Sequence, residues 1–155
     1  MQIISNSQRQ TLNLGKRLSS LLKSGDTICL YGPLGAGKTV LVKGMAFGLG
    51  IPKDKVNSPA FVLINEYKGK RTNLYHIDLY RIKNIGDIIT TGYPDYFYKD
   101  GIIVIEWAQR LPHFLMPLNY LKIEFKIIDK NIRKIIISSK DNHYNFMMEK
   151  LKEIR

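Results

Sequence analysis

The chain has 155 residues, of which 24 are Lys or Arg and 13 are Asp or Glu, giving a formal charge of +11. This length predicts a single domain over residues 1–155, and a hydrophobic fraction of 45% excludes a disordered polyelectrolyte. The lone cysteine, Cys29, excludes an internal disulfide and a multi-cysteine zinc site. We find no leader pattern and no apolar stretch of membrane-spanning length, so we expect a cytoplasmic protein without a membrane partner.

The positive charge lies at the two ends of the chain. Residues 1–56 carry a net charge of +6 and residues 110–155 a net charge of +5, whereas residues 57–109 are neutral. No basic run is interleaved with aromatic residues in the way that single-strand binders require. We therefore interpret the excess as a solvated, lysine-rich surface rather than as a nucleic-acid groove.

Helical and extended patterns alternate along the chain. In chain order they predict a helix at 7–22, a buried strand at 27–31, a helix at 38–49, and strands at 61–67 and 73–79. Short helical pieces are predicted within 83–98, followed by a strand at 101–106, a hairpin of strands 120–127 and 132–138, and a helix at 142–155. This alternation predicts an α/β fold with a mainly parallel central sheet, flanked by helices and followed by a C-terminal hairpin and helix.

The segment GPLGAGKT, from Gly32 to Thr39, fits the phosphate-loop pattern G-x-x-x-x-G-K-[ST] in full. It follows a buried strand and begins a helix, which is the context that this motif requires. Its glycines allow backbone amides to turn towards phosphates, Lys38 supplies positive charge, and the Thr39 hydroxyl is a ligand for Mg²⁺. We expect a nucleoside-triphosphate site that includes Leu34, Gly35, Ala36, Gly37, Lys38, Thr39 and Val40.

Two carboxylates end apolar strands and are candidates for the acidic partner of this loop. Glu106 follows residues 102–105, and Asp78 follows residues 73–77. If Glu106 holds Mg²⁺ together with Thr39, then Asp78 is free to polarise the attacking water. We adopt this division as a hypothesis; a plain strand-end carboxylate remains the alternative for each of them.

Four segments together resemble one family. They are GPLGAGKT, SPAF with NEY at 58–67, HIDLYR at 76–81, and IEW at 105–107. Their order and spacing resemble the TsaE family (formerly YjeE), bacterial ATPases required for threonylcarbamoylation of adenosine 37 in tRNA. The resemblance covers roughly residues 12–112. The HIDLYR segment followed by Glu106-Trp107 is more specific than the phosphate loop alone.

The resemblance implies a Rossmann-like P-loop NTPase that binds ATP and Mg²⁺ and hydrolyses ATP slowly. It further implies docking on TsaB and TsaD, where TsaD is the threonylcarbamoyl transferase, and contact with tRNA indirectly through that complex. Lys38 and Thr39 would hold phosphate and Mg²⁺, Glu106 would be the second metal-site residue, and Asp78 would be the catalytic carboxylate.

The resemblance also assigns residues outside the phosphate loop. Trp107 would lie beside the nucleotide, although the residues alone fit a core or rim aromatic equally well. Arg133 matches a basic position in the family's tail that approaches the nucleotide. A switch-like loop near the γ-phosphate would consist of Ser58, Pro59, Ala60 and Phe61.

Five positions depart from the family's usual pattern. Pro33 replaces an Asp, Val40 a second Thr of the loop, Ala60 and Val62 two hydroxyl residues of the switch segment, and Ala108 a Pro. None of these changes falls on Lys38, Thr39, Asp78 or Glu106, although Val40 lacks a hydroxyl that could reach a phosphate. We expect nucleotide binding to be retained and the hydrolysis rate to be the quantity that these changes affect.

Other polar residues are weaker candidates. His76, two residues before Asp78 in a predicted strand, is expected to be packed and hydrogen-bonded rather than a general base. Gln8 and Thr11, at the start of the first helix, are candidates for the edge of an adenine pocket. Two other functions remain open, namely a small P-loop nucleotide or nucleoside kinase and a nucleotide-gated binding module with vestigial hydrolysis.

Overall fold

A computed structural model of the chain describes residues 1–52, 55–56 and 63–153. In chain order the elements are β1 (Gln2–Ser5), α1 (Gln8–Leu21), β2 (Thr27–Tyr31), α2 (Lys38–Gly48), β3 (Ile64–Tyr67), β4 (Leu74–Asp78), α3 (Ile85–Thr90), β5 (Ile102–Glu106), β6 (Leu121–Ile127), β7 (Arg133–Ser138) and α4 (Asn142–Glu153). Short 3₁₀ turns lie at Tyr93–Tyr98, Ala108–Arg110 and His113–Leu115. No helix in these ranges is both long and apolar enough to cross a membrane.

The seven described strands form one sheet in the order β1-β7-β6-β2-β5-β4-β3. The central strands β6, β2, β5 and β4 are parallel, whereas the pairs β1–β7, β6–β7 and β3–β4 are antiparallel. Because β7 reverses direction and β1 reverses it again, five of the seven strands run the same way. The prediction of an α/β fold with a mainly parallel sheet and a C-terminal hairpin and helix is confirmed.

The sheet separates two apolar cores, because alternate residues of a strand point to opposite faces. We call the face covered by α1, α2 and α4 the α2 face; Ile28 and Leu30 of β2 point into it. We call the other the α3 face, which is covered by α3 and the 3₁₀ turns; Cys29 points into it. The α2 face holds the larger of the two cores.

Helix α1 lies unusually close to α2, because glycines stand where they meet. A Cβ on Gly44 would overlap the carbonyl oxygen of Leu12, and a Cβ on Gly15 would overlap that of Leu41. The Ser7 side chain caps α1 by accepting a hydrogen bond from the Gln10 amide at 3.2 Å. This close packing holds the start of α1 near the loop that precedes α2.

The structure differs from the sequence prediction at a few element ends. The strand β1 was not predicted; it has four residues and pairs only with β7, through contacts such as Gln2 with Ile136. Helix α2 ends at Gly48, one residue before its predicted end. The predicted strand at 61–67 is observed from Ile64 onward, and residues 61 and 62 lie outside the described residues.

Candidate nucleotide site

The carboxyl ends of β2, β5 and β4 meet at one edge of the sheet. Leu30 of β2 is opposite Glu106 of β5, and Glu106 is in turn opposite Asp78 of β4. The loop that follows β2 therefore begins beside both carboxylates. This edge of a parallel sheet is where α/β proteins bind their ligands.

The loop between β2 and α2 depends on backbone conformations that glycine adopts easily. Gly35 has φ of +72° and Gly37 has φ of +101°, both in the left-handed region. Helix α2 begins at Lys38, directly after this turn. The N–H groups of a first helical turn have no intrahelical partner, and the helix dipole is positive there. The loop and the helix start thus form a site suited to an anion.

A cavity of about 300 Å³ opens at this edge. The sequence-predicted residues that line it are Leu34, Gly35, Ala36, Gly37, Lys38, Thr39, Val40, Asp78, Glu106, Trp107 and Arg133. The weaker candidates Gln8 and Thr11 line it as well. The structure therefore brings these residues together, while their roles in binding and catalysis stay predictions. The predicted switch loop of Ser58, Pro59, Ala60 and Phe61 lies outside the described residues.

Four further residues line the cavity that sequence reasoning did not single out, namely Ser7, Tyr80, Lys130 and Asn131. Tyr80 belongs to the HIDLYR segment, and its place two residues after Asp78 was a usable signal. Lys130 and Asn131 form the β6–β7 turn, whose approach to the loop depends on the tertiary fold. No local pattern in the sequence indicates that approach.

Lys38 is folded back onto its own loop. Its side chain is only 4% exposed, and Nζ donates to the carbonyl oxygens of Gly32 at 2.9 Å and Pro33 at 2.8 Å. Burial lowers the pKa of this ammonium group, while the carboxylates of Glu106 and Asp78 act in the opposite direction. The cavity therefore contains a desolvated cation whose acceptors are neutral carbonyls, and phosphate oxygens would be stronger acceptors.

Trp107 forms the wall of the cavity beside Lys38. The Lys38 Nζ lies 3.9 Å from the centroid of the Trp107 ring, a cation–π contact. The centroid of the Trp107 ring also lies 4.9 Å from that of the Tyr80 ring. Trp107 has φ of +59°, the only left-handed value for a residue other than glycine in the described part of the chain. Such a conformation costs on the order of 1–3 kcal/mol and is typical of functional sites.

Glu106 connects the loop to the neighbouring strand. Its Oε2 accepts a hydrogen bond from the Thr39 hydroxyl at 3.1 Å, and its Oε1 lies 2.9 Å from Nε2 of His76. Glu106 is 2% exposed, Asp78 is 6% exposed and His76 is fully buried. The expectation that His76 is packed and hydrogen-bonded is confirmed.

The oxygen donors around Glu106 fit Mg²⁺, which prefers hard oxygen ligands. The hydroxyl of Thr39 and the carboxylate of Glu106 already lie within hydrogen-bond distance of each other. In the described ranges no group of three His, Cys, Asp or Glu side chains could hold a metal by itself. Such a site suits an ion whose remaining ligands are phosphate oxygens and water.

The side chain of Arg133 links the β6–β7 turn to the Gly35 end of the loop between β2 and α2. Its guanidinium donates to the carbonyl oxygens of Gly35 at 3.3 Å and Asp129 at 2.7 Å. Positive charge therefore stands at the Gly35 end of the loop, whereas the carboxylate of Glu106 stands at the Thr39 end. This polarity suits a polyphosphate together with a divalent cation.

Comparisons with known proteins point to one family. The sequence model of the family "Threonylcarbamoyl adenosine biosynthesis protein TsaE" matches residues 5–135. A protein of Treponema pallidum named tRNA threonylcarbamoyladenosine biosynthesis protein TsaE is 36% identical over 138 residues, which are 89% of this chain and 100% of that one. A protein of the same name from Bacillus subtilis is 37% identical over 142 residues, 92% of this chain and 87% of the other.

A solved structure has the same fold. The crystal structure of YdiB from Bacillus subtilis superposes with a TM-score of 0.81 at 32% sequence identity. The superposition covers 99% of this chain and 94% of that chain. Together with the family match over residues 5–135, these relatives show that the chain belongs to the TsaE family, and so to the proteins of tRNA threonylcarbamoyladenosine biosynthesis.

Proposed function

We propose that the chain is an ATP-binding, Mg²⁺-dependent ATPase that hydrolyses ATP slowly and supports a TsaB–TsaD complex in forming N6-threonylcarbamoyladenosine at position 37 of tRNA. We place it in the cytoplasm, in contact with tRNA only through that complex. The observation that carries the proposal is the hydrogen bond from the Thr39 hydroxyl to Glu106 Oε2 at 3.1 Å, in a cavity that Lys38 also lines. Membership of the TsaE family supports the pathway.

Lys38 and the loop amides are assigned to the phosphates. The ammonium group of Lys38 would exchange the carbonyls of Gly32 and Pro33 for charged phosphate oxygens, which form stronger hydrogen bonds. The amides at the start of α2 would donate to the same anion. Arg133 would add positive charge at the Gly35 end of the loop.

Thr39 and Glu106 are assigned to Mg²⁺, which would neutralise charge on the phosphate oxygens when bound. Asp78 is assigned to the attacking water, because its strand position lies directly opposite that of Glu106 at the same sheet edge. A carboxylate there would accept a hydrogen bond from the water and orient it towards the terminal phosphate.

The two carboxylate roles are tested by Glu106→Gln and Asp78→Asn. Calorimetry measures the affinity for a non-hydrolysable ATP analogue with Mg²⁺ and with EDTA, and phosphate release measures turnover. We expect Glu106→Gln to weaken the Mg²⁺-dependent part of the affinity about tenfold or more, because an amide is a poorer ligand than a carboxylate. Asp78→Asn should leave the Mg²⁺-dependent part of the affinity unchanged and lower the rate of phosphate release about 100-fold.

The exposed Asp95 supplies a matched control, because Asp95→Asn removes a carboxylate of the α3 face and should change neither quantity. Loss of Mg²⁺-dependent affinity in Asp78→Asn but not in Glu106→Gln would overturn the division of roles. Absence of nucleotide binding in the unmodified protein would overturn the proposed function itself.

The partner is tested by measuring ATP turnover with and without a TsaB–TsaD complex, and by a pulldown with ATP, with ADP and without nucleotide. We expect binding that depends on the nucleotide, and turnover that rises several-fold in the complex. Binding without stimulated turnover would instead favour a nucleotide-gated binding module. Val40, a cavity residue without a hydroxyl, is the observation that favours this second candidate. No binding in any nucleotide state would contradict both.

A further inference from the structure

We propose that His76 is a positioning residue for the metal site: its Nε2–H holds the Glu106 carboxylate in the orientation that presents Oε2 to Thr39 and to Mg²⁺. The inference deepens the proposed function and rests on it. His76 does not line the cavity and so has no direct part in binding or chemistry. It would act only through Glu106.

The geometry that supports the inference begins with the sheet. His76 and Asp78 of β4 point to the α2 face, as does Glu106 at the end of the neighbouring strand β5. His76 is opposite Val104, two residues before Glu106, so its ring lies below the carboxylate on the same face. At 2.9 Å from Nε2, Glu106 Oε1 is within hydrogen-bond distance of a side chain that is fully buried.

The second observation is that the two carboxylate oxygens of Glu106 have different partners. Oε1 contacts His76 and Oε2 accepts from Thr39, so the carboxylate is held from both sides in one rotamer. A carboxylate with only the Thr39 contact could turn about its terminal bond, since such torsions are broad. Partners of metal ligands commonly fix ligand orientation in this way, and their loss costs about 10–100-fold in metal affinity.

The third observation is the other ring nitrogen of His76. Its Nδ1 is buried and has no hydrogen-bond partner among the described residues. A carboxylate oxygen accepts hydrogen bonds, so Nε2 is the ring nitrogen that donates to Glu106, and Nδ1 is left without a partner. Leaving a buried polar atom unpaired is unfavourable. A residue serving packing alone would avoid that penalty by being apolar, so the imidazole is best explained by the bond that it donates to Glu106.

The test compares three substitutions that differ in where they place a donor. The amide nitrogen of His76→Gln reaches the position of Nε2, whereas that of His76→Asn reaches the position of Nδ1, and His76→Leu has no donor. For each variant, calorimetry measures the ratio of the dissociation constants of a non-hydrolysable ATP analogue in EDTA and in Mg²⁺. This ratio reports Mg²⁺ coupling, whereas a change in folding or in general nucleotide affinity shifts both constants together.

We expect the ratio to fall about tenfold in His76→Leu and His76→Asn and to recover to within about threefold of the unmodified protein in His76→Gln. In a Glu106→Gln background, His76→Leu should cause no further fall, because the residue acts only through that carboxylate. If His76→Leu does not fold, the comparison of the Asn and Gln variants decides alone.

The outcomes separate the inference from the proposed function. A ratio near one in the unmodified protein overturns both, because the carboxylate then holds no metal. A high ratio that persists in His76→Leu or in His76→Asn overturns the inference and leaves the proposed function intact. A further fall in the Glu106→Gln background also overturns it, because His76 would then act by another route.

Discussion

The two faces of the sheet are covered differently and bury different side chains. The α2 face is covered by three helices of 11 to 14 residues, and its buried side chains include the polar groups of His76, Asp78 and Glu106. The α3 face is covered by one six-residue helix and by 3₁₀ turns, and it buries Cys29 and Tyr93 among aliphatic residues. Asp78, Glu106 and the start of α2 lie on the better-covered face, whereas Trp107, at the wall of the cavity, packs against the core of the α3 face.

This difference bears on what the proposed metal and phosphate site would require of its surroundings. Buried carboxylates need partners at fixed positions, because an unsatisfied buried charge is costly. Strand ends and the first turn of α2 provide such positions: Glu106 meets Thr39 on one side and His76 on the other. Short 3₁₀ turns make fewer and poorer hydrogen bonds and hold side chains less firmly.

The largest effect is expected where α1 and α2 meet. A substitution there tests whether the stability of the α2 face depends on close backbone contact between these two helices. Gly44→Ala would place a Cβ against the Leu12 carbonyl, and neither helix backbone can move without disturbing the core. We expect a loss of about 3 kcal/mol or more in the free energy of unfolding, at the upper end of overpacking costs. Denaturant unfolding measures it.

Gly86→Ala in α3 is the matched control on the other face. A Cβ there would meet only the Asn84 side chain, at 3.0 Å, and alanine has the higher helix propensity. We expect a change within about 1 kcal/mol in either direction. Equal losses in the two variants would contradict the difference between the faces.

Much of the fold could be predicted because its signals are local. The apolar run of β2, the glycine turn and the start of α2 follow one another in the sequence, and each is determined by residues within a few positions. The strand β1 was missed because its four residues become a strand only by pairing with β7, more than 120 residues away. Such edge strands have no strong pattern of their own.

The residues of the candidate site also fall into two groups, those with a local sequence signal and those placed by long-range contacts. The presence of Lys38, Thr39 and Glu106 at the cavity could be predicted from the sequence, because these residues stand at recognisable strand and helix ends. The contact of Lys130 with the cavity and the pairing of His76 with Glu106 could not, because both depend on register and on how the hairpin lies against the loop. For His76, the sequence predicted a hydrogen bond but not its partner.

The smaller effect concerns one tyrosine hydroxyl on each face. On the α2 face, the Tyr144 hydroxyl accepts a hydrogen bond from the backbone amide of Thr27 at 2.8 Å. On the α3 face, the Tyr93 hydroxyl donates to the carbonyl oxygen of Leu115 at 3.0 Å. Tyr144→Phe leaves a buried amide without an acceptor, and we expect a loss of about 1–2 kcal/mol in the free energy of unfolding.

Tyr93→Phe should cost less, about 1 kcal/mol or below, because Leu115 lies in a half-buried turn where water can replace the lost donor. Both substitutions keep the ring, so neither creates a cavity and the two losses report the hydrogen bonds alone. Denaturant unfolding of the two variants under the same conditions gives the comparison. A larger loss for Tyr93→Phe would mean that the 3₁₀ turns hold the α3 face as firmly as the helices hold the α2 face, and the rigidity argument for the position of the site would fail.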